Sequence, residues 1–233
     1  MKDKKIIGIL GGMGPAATVN FFDDIVKISQ EKYGAEQDTD FPIVYLYNTA
    51  LEGFNETGFE DMDLVKKQLI NDVKKLAGWG ADFIVMPCNT VHYFIDDLRA
   101  SINIPILSII ESTIAEVNKM QYKKVGIISS ASTRHLGLYE NKLKDEKIMC
   151  IVANEDEQSL LDKVILSVMS GKQGEMEKEI LKNIIKRMGN DGAEVVILGC
   201  TELPLAININ DSDLPLLNTI KILAENAVDY SFE

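Results

Sequence analysis

The sequence predicts an α/β fold of two similar domains, each built on a parallel β-sheet with helices on both faces. Short apolar runs alternate with longer segments of helical spacing along most of the 233 residues, which is the pattern of repeated βαβ units. Three stretches of the first half also recur in the second half in the same order, as expected for an internal duplication. We therefore expect two domains related by pseudo-two-fold symmetry, with the active site in the cleft between them.

In the first half, strands and helices alternate regularly. Pro15 follows a glycine-rich turn and suits the first position of a helix. Apolar side chains recur at helical spacing through 61–78, and Gly78 and Gly80 end that helix. The predicted order is a strand at 5–10, a helix from Pro15 to about Tyr33, a strand at 42–47, a helix over 61–78, a strand at 82–86, a helix near 90–100 and a strand at 104–109.

The second half repeats this alternation. The predicted order is a helix over 110–119, a strand at 123–129, a helix over 133–145, a strand at 148–153, helices over 157–170 and 174–189, and a strand at 194–198. A last strand and helix, at 214–230, could return to pack on the first half. We therefore assign residues 1–103 and 213–233 to the first domain and residues 104–212 to the second.

The internal repeat is the strongest architectural signal. The segment GADFIVMPCNT (80–90) aligns without a gap with GAEVVILGCTE (192–202). Downstream, IPILSII (104–110) resembles LPLLNTI (214–220), and upstream KKIIGIL (4–10) resembles KKVGIIS (123–129). Three matches in the same order predict two halves of the same topology.

Composition limits the classes of partner. The net charge of −12 argues against a nucleic-acid surface and against binding to anionic membranes. A small anionic ligand is still compatible, because a pocket can be locally positive in an acidic protein. The apolar run at the start of the chain resembles a signal peptide, but glycines and Pro15 interrupt it, so we read it as a strand and a turn.

Cysteine and histidine usage predicts neither a disulfide framework nor a metal site. The three cysteines include no CxxC pair, and the two histidines, His92 and His135, form no zinc-like spacing with them. This usage is typical of free thiols in a reducing cytoplasm.

The glycine-rich loop GGMGPAATVNFF (11–22) has three interpretations. Gly12, Gly14 and Ala17 satisfy a form of the dinucleotide fingerprint, but the next strand ends near Asn48, and Glu52 lies too far along to hold a ribose. A structural turn is the second interpretation. The third, which we favour, is an anion site at a helix N-terminus with Met13 beside the ligand.

Two cysteines occupy equivalent positions in the repeat, at the carboxyl ends of predicted strands, where parallel sheets bind ligands. Cys88 is followed by Asn89 and Thr90, and Cys200 by Thr201 and Glu202, so polar groups surround each thiol. A single cysteine after an apolar run is usually inert core, and we assign Cys150, within IMCIVA, to that class. Duplication of the position argues for a function of the other two.

Two opposed thiols suit a reaction that needs a base and an acid on opposite faces of one carbon. Removal of the Cα proton of an amino acid and its return to the other face is such a reaction. The two thiols would exchange roles between the enantiomers, and hydrogen bonds from the loops would stabilise the carbanion. This chemistry requires no pyridoxal cofactor, and we expect none.

The chain resembles the aspartate/glutamate racemase family, cofactor-independent enzymes with two similar α/β domains. The matching segments are GILGGMGP (8–15), CNT (88–90), STRHLGLY (132–139) and GCTELPL (199–205). The resemblance implies that Cys88 and Cys200 are catalytic. It implies that substrate is bound by Met13, Asn48, Asn89, Thr90, Ser130, Thr133, Lys163, Thr201 and Glu202. Glu202 could hold the substrate ammonium or cap a helix.

Three departures from the family pattern concern the substrate. The loop at 45–59 contains no basic residue where several aspartate racemases carry an arginine. Leu136 stands where the family often has serine, and Ser130 where it often has threonine. We still expect an acidic amino acid, L- and D-aspartate or glutamate, as the small-molecule partner, with a homodimer as an open alternative. Arg134 could assist an anionic substrate or be a surface charge, and His92 could support Cys88 or lie exposed on its helix.

Other functions remain open from the sequence. A maleate isomerase, hydantoin racemase or decarboxylase of the same fold is one alternative, and the first of these would use a thiol as a nucleophile to carbon. A non-catalytic amino-acid binding protein would use the same pocket, and an NAD-dependent enzyme is the least favoured alternative.

Overall fold

A computed structural model of the chain describes residues 4–55 and 58–233. Its strands are β1 (Ile7–Gly11), β2 (Val44–Asn48), β3 (Phe54–Asn55), β4 (Gly58–Phe59), β5 (Phe83–Val85), β6 (Ile106–Leu107), β7 (Lys124–Ile128), β8 (Met149–Val152), β9 (Val195–Leu198) and β10 (Leu216–Asn218). Its α-helices are α1 (Pro15–Tyr33), α2 (Met62–Gly78), α3 (Ile95–Ser101), α4 (Ile109–Lys119), α5 (Ala131–His135), α6 (Leu138–Asp145), α7 (Glu155–Met169), α8 (Glu175–Asn190) and α9 (Thr219–Phe232).

The chain divides into two units. The first contains the chain up to Phe54, Glu60–Ser112 and Ile220–Glu233, and its parallel sheet has the order β2-β1-β5-β6. The second contains Thr113–Thr219 and the described residues between Asn55 and Phe59, and its parallel sheet has the order β10-β9-β7-β8. In both sheets the first two strands of the unit are neighbours, and the third and fourth strands lie on the other side of the first. The predicted α/β class with two similar domains is therefore confirmed.

Strand register shows that the sequence repeat is also a structural repeat. Gly8 of β1 pairs with Ile84 of β5, and Gly126 of β7 pairs with Val196 of β9. Ile84 and Val196 are also the residues that the gap-free sequence alignment equates. The segments that carry Cys88 and Cys200 therefore follow equivalent strands.

The central strands are buried on both faces, which is why they read as continuous apolar runs. All residues of β1, β5 and β9 are buried. In the second unit, α7 and α8 pack on the sheet through a row of aliphatic side chains that includes Val164, Leu181 and Ile185. Each such side chain stabilises the fold by about 1.5–3 kcal/mol relative to exposure.

Three local predictions were wrong in detail. The helix predicted over 133–145 is interrupted at Gly137, which adopts φ +62 between α5 and α6. The helix predicted near 90–100 begins as a 3₁₀ helix over Thr90–Phe94. Cys150 is exposed rather than buried in the core, because β8 is the edge strand of its sheet and its apolar residues are not covered on both faces.

Among the described residues, the helices include none whose length and apolarity would let it span a bilayer.

Candidate active site

In the first unit, Cys88 lies in a tight turn after β5. Its backbone N–H donates to the Met86 carbonyl oxygen at 2.8 Å, and only 5% of the residue is exposed. Asn89 and Thr90, the next two residues, are buried as well. Burial of amide and hydroxyl groups is unfavourable in free energy unless they form hydrogen bonds with the protein or with a ligand. The first unit thus places a thiol, an amide and a hydroxyl together at a strand end.

His92 connects the Cys88 turn to the next helix. Its Nδ1 lies 2.8 Å from the Cys88 carbonyl oxygen, and its Nε2 accepts a hydrogen bond of 3.2 Å from the Ile109 backbone N–H. Burial lowers the pKa of His92 to about 4, so the imidazole is neutral near pH 7. The exposed position that the sequence left open is wrong, because His92 is only 3% exposed.

The glycine loop between β1 and α1 is held by two threonines. The Thr18 hydroxyl accepts from the Gly12 N–H and donates to the Gly14 carbonyl oxygen, both at 2.9 Å. Gly12 has φ +98, and a Cβ there would lie 2.1 Å from the Thr49 carbonyl oxygen. These glycines allow a close approach of two backbone segments. The structure therefore gives them a packing role, and the anion site stays a prediction.

The remaining predicted residues of this loop region differ in burial. Met13 is buried, whereas Asn48 is exposed at the end of β2, in register with Gly11. Next to Asn48, Thr49 is buried, and its hydroxyl donates to Asp72 at 2.8 Å. The structure thus brings Met13 to the interior and leaves Asn48 at the surface of the same edge.

In the second unit, Cys200 lies at the position equivalent to Cys88 and makes a side-chain contact of its own. The Cys200 thiol and the Thr201 hydroxyl both donate to Glu202 Oε2, each at 3.1 Å. Glu202 is 2% exposed, and within the described part of the chain its Oε1 accepts no hydrogen bond. Glu202 does not cap the following helix through its side chain, so the capping alternative is wrong.

A serine–threonine turn lies beside this site, at the carboxyl end of β7. Ser130 is the N-cap of α5, and its hydroxyl accepts from the Thr133 N–H at 3.3 Å. Both residues are almost fully buried. Gln158 of α7 donates to the Ser129 carbonyl oxygen at 3.0 Å and fixes the start of the turn. Ser130 and Thr133, both predicted from the sequence, are thus joined by a hydrogen bond in one buried turn.

Tyr139 is a residue of this region to which the sequence assigned no role. It is fully buried, and burial raises its pKa well above the usual range. Its hydroxyl is hydrogen-bonded to Thr113 and Thr219, and its ring would contact a Cβ at Gly199 at 3.2 Å. Tyr139 packs beside Gly199, the residue before Cys200. The aromatic residue at the end of STRHLGLY was the sequence feature that could have indicated this contact.

The other sequence candidates lie on α5 and α7. Lys163 is exposed on α7, and its role at the substrate stays a prediction. Arg134 is half-buried and donates to Gln158 at 3.3 Å, whereas His135 is exposed. Among the described residues, His, Cys, Asp and Glu side chains form no cluster of three suited to a metal ion.

Comparison with known proteins identifies the family that the chain matches. Residues 10–227 match the family model described as Asp/Glu/Hydantoin racemase. The chain is 27% identical over 223 residues to the broad specificity amino-acid racemase RacX of Bacillus subtilis (strain 168), covering 96% of each chain.

Solved structures give the same result. The chain superposes on PH1733, an aspartate racemase homologue from Pyrococcus horikoshii OT3, with a TM-score of 0.83 at 31% identity, covering 98% of this chain and 100% of that one. It superposes on Picrophilus torridus aspartate racemase with a TM-score of 0.84 at 28% identity, covering 98% and 94%.

Proposed function

Because the chain belongs to the Asp/Glu/hydantoin racemase family, we propose that it interconverts the L and D forms of an amino acid with Cys88 and Cys200 as its acid and base. The observation that carries this proposal is the equivalence of the two buried thiols, each at the carboxyl end of the third strand of its unit. The two sheets place a cysteine sulfur at equivalent positions. Two equivalent acid/base groups suit racemisation, because the L-to-D and D-to-L reactions need the same proton transfers.

In the proposed reaction, one cysteine thiolate takes the Cα proton and becomes a thiol. The other cysteine thiol gives its proton to the opposite face of Cα and becomes a thiolate. The carbanion formed between these steps places negative charge on the substrate carboxylate, where hydrogen-bond donors lower its energy. We propose Asn89, Thr90 and Thr201 as these donors, because each is buried next to a thiol.

Glu202 supports the assignment of the substrate amine. A carboxylate oxygen buried with no hydrogen-bond donor is unfavourable by several kcal/mol in order of magnitude, and Glu202 Oε1 has none among the described residues. A substrate ammonium group would supply both the missing donor and the opposite charge. We therefore propose that Oε1 receives the ammonium while Oε2 keeps the Cys200 thiol in its donor orientation.

For the side chain of the substrate we propose aspartate and glutamate first. A wider range is the second candidate, and two observations favour it: the loop at 45–59 contains no lysine or arginine, and the similar protein from Bacillus subtilis bears the name broad specificity amino-acid racemase. Arg134 is the half-buried cation nearest in sequence to the Ser130–Thr133 turn, and it is our candidate partner for an acidic side chain.

The test is exchange of the Cα proton in D₂O over a panel of D- and L-amino acids. We expect deuterium to enter aspartate or glutamate with inversion, without added cofactor. Cys88→Ala and Cys200→Ala should each lower the racemisation rate by about 10²–10⁴-fold, the usual contribution of a general acid or base. Cys150→Ala is the matched control and should leave the rate unchanged, because Cys150 is exposed on β8. Racemisation that survives in both single variants would refute the two-thiol mechanism.

A further inference from the structure

His92 makes a side-chain contact with the Cys88 turn that the proposed reaction does not use. We propose that His92 is a positioning residue, which fixes Cys88 through the hydrogen bond from Nδ1–H to the Cys88 carbonyl oxygen. This inference rests on the proposed role of Cys88 as an acid/base group. It assigns no contact between His92 and the substrate.

The contacts with Cys88 and Ile109 favour one neutral tautomer. A carbonyl oxygen can only accept, so the 2.8 Å separation between Nδ1 and the Cys88 oxygen requires a proton on Nδ1. The Ile109 N–H can only donate, so Nε2 must offer its lone pair across 3.2 Å. The neutral imidazole satisfies both groups at once. It therefore clamps the Cys88 turn to the first residue of α4.

The second unit ties the equivalent segment in another way, which shows that the clamp is particular to Cys88. In the repeat, position 92 corresponds to Pro204, which has no side-chain donor. There the Cys200 carbonyl oxygen accepts from the Leu203 backbone N–H at 3.2 Å. The residue equivalent to Ile109 is Thr219, whose hydroxyl donates to the Leu198 carbonyl oxygen at 2.9 Å. Backbone and hydroxyl bonds thus replace the imidazole in the second unit.

The clamp matters for proton transfer because a thiol must lie within hydrogen-bond reach of Cα. A displacement of about 1 Å in a reacting group can cost about 10²-fold in rate. The Cys88 turn follows a strand that ends at Val85 and precedes a 3₁₀ helix of Thr90–Phe94, so little regular structure holds the residues between them. The side-chain hydrogen bond from His92 to the Cys88 carbonyl oxygen adds a restraint on this turn.

The test compares three substitutions of His92. His92→Asn places an amide N–H near the Nδ1 position, so it keeps the bond to Cys88. His92→Gln extends its amide to the Nε2 position, so it keeps the bond from Ile109 and loses the other. His92→Phe removes both bonds and keeps a ring of similar size. His135→Gln is the control at the exposed histidine.

We expect His92→Phe to lower kcat by about 10–100-fold with KM changed by less than about threefold, because the loss is in positioning of the base and not in binding. His92→Asn should recover most of kcat, whereas His92→Gln should stay near the Phe variant. The inference is overturned if Gln recovers as much as Asn, or if the Phe variant keeps a wild-type kcat.

A second measurement separates this inference from the proposed function. Alkylation by iodoacetamide, followed by mass spectrometry, gives the reaction rate of each cysteine without any substrate. We expect Cys88 to change its rate by more than about fivefold in His92→Phe and to return toward wild type in His92→Asn, with Cys200 changed by less than about twofold. Equal changes at both thiols, or none at Cys88, would refute the positioning role even in a protein that racemises nothing.

Discussion

Burial of His92 makes the stability of the fold depend on pH in a window that its pKa defines. The pKa of His92 is lowered from 6.5 to about 4, chiefly by removal from water and to a smaller extent by the nearby Arg99. Hydrogen bonds to the backbone of Cys88 and Leu107 and the charge of Glu111 oppose this shift without cancelling it. Between these two pH values the unfolded chain binds a proton that the folded chain does not bind. Acidification therefore favours unfolding across this window.

The magnitude follows from the size of the shift. A difference of one pKa unit corresponds to 1.36 kcal/mol, so this group should remove about 3 kcal/mol from the free energy of unfolding as the pH falls from 6.5 to 4. Above pH 6.5 His92 is neutral in both the folded and the unfolded chain, and this loss of stability is absent. The neutral side chain of a His92→Asn variant removes this dependence, so the stability difference between wild type and variant should shrink by about 3 kcal/mol over the same range.

Urea unfolding at a series of pH values measures this difference. Carboxylates titrate in the same range in wild type and variant, so they cancel in the comparison. His135→Gln should follow the wild-type curve, because His135 is exposed. With two histidines in the chain, NMR titration also gives both pKa values directly. A titration of His92 near 6.5, or parallel stability curves for wild type and His92→Asn, would show that the buried neutral clamp is wrong.

Three further predictions concern residues around the two thiols. Glu202→Gln should raise KM by about 10-fold or more, measured by steady-state racemisation, because the amide keeps the hydrogen bonds and loses the charge that would attract an ammonium group. Ser130→Ala should lower the free energy of unfolding by about 1 kcal/mol, measured in urea, because α5 loses its N-cap. Asp72→Asn should cost about 1–3 kcal/mol by the same measurement, because Asp72 is buried and accepts from both Thr49 and Lys75.

The repeat made the fold predictable from the sequence. Apolar runs that are buried on both faces give a continuous signal, and their recurrence in the same order along the chain predicted two halves of the same topology. Apolar runs in edge strands predict burial less well, because an edge strand can carry apolar residues on a face that is exposed to solvent. Cys150 was misplaced for this reason, since an apolar run around it looked like a central strand although β8 lies at an edge. The boundary between the two domains stays a prediction.

The site was predictable only where its residues are consecutive. Cys88 and Cys200 stood out because each carries polar neighbours at a repeated position. His92 was ambiguous, because its spacing from Cys88 does not reveal that its ring turns inward to a carbonyl oxygen. Tyr139 was missed as a contact for the same reason, since its partners Thr113 and Thr219 are far apart in the chain.

The two units share one backbone plan, yet they support their thiols differently. In the second unit Glu202 accepts a hydrogen bond from the Cys200 thiol, and the equivalent residue of the first unit is Thr90. In the first unit His92 contacts the Cys88 carbonyl oxygen, and the equivalent residue of the second unit is Pro204. Two enantiomers have equal free energy, so no such asymmetry can shift the equilibrium of a racemase, and kcat/KM must be the same in both directions. Substitution of His92 must then lower kcat/KM equally for the L and D substrates, although kcat and KM can change separately in each direction. Unequal losses of kcat/KM would show that the reaction measured is not a racemisation, so kinetics in both directions test the proposed function independently of the role of His92.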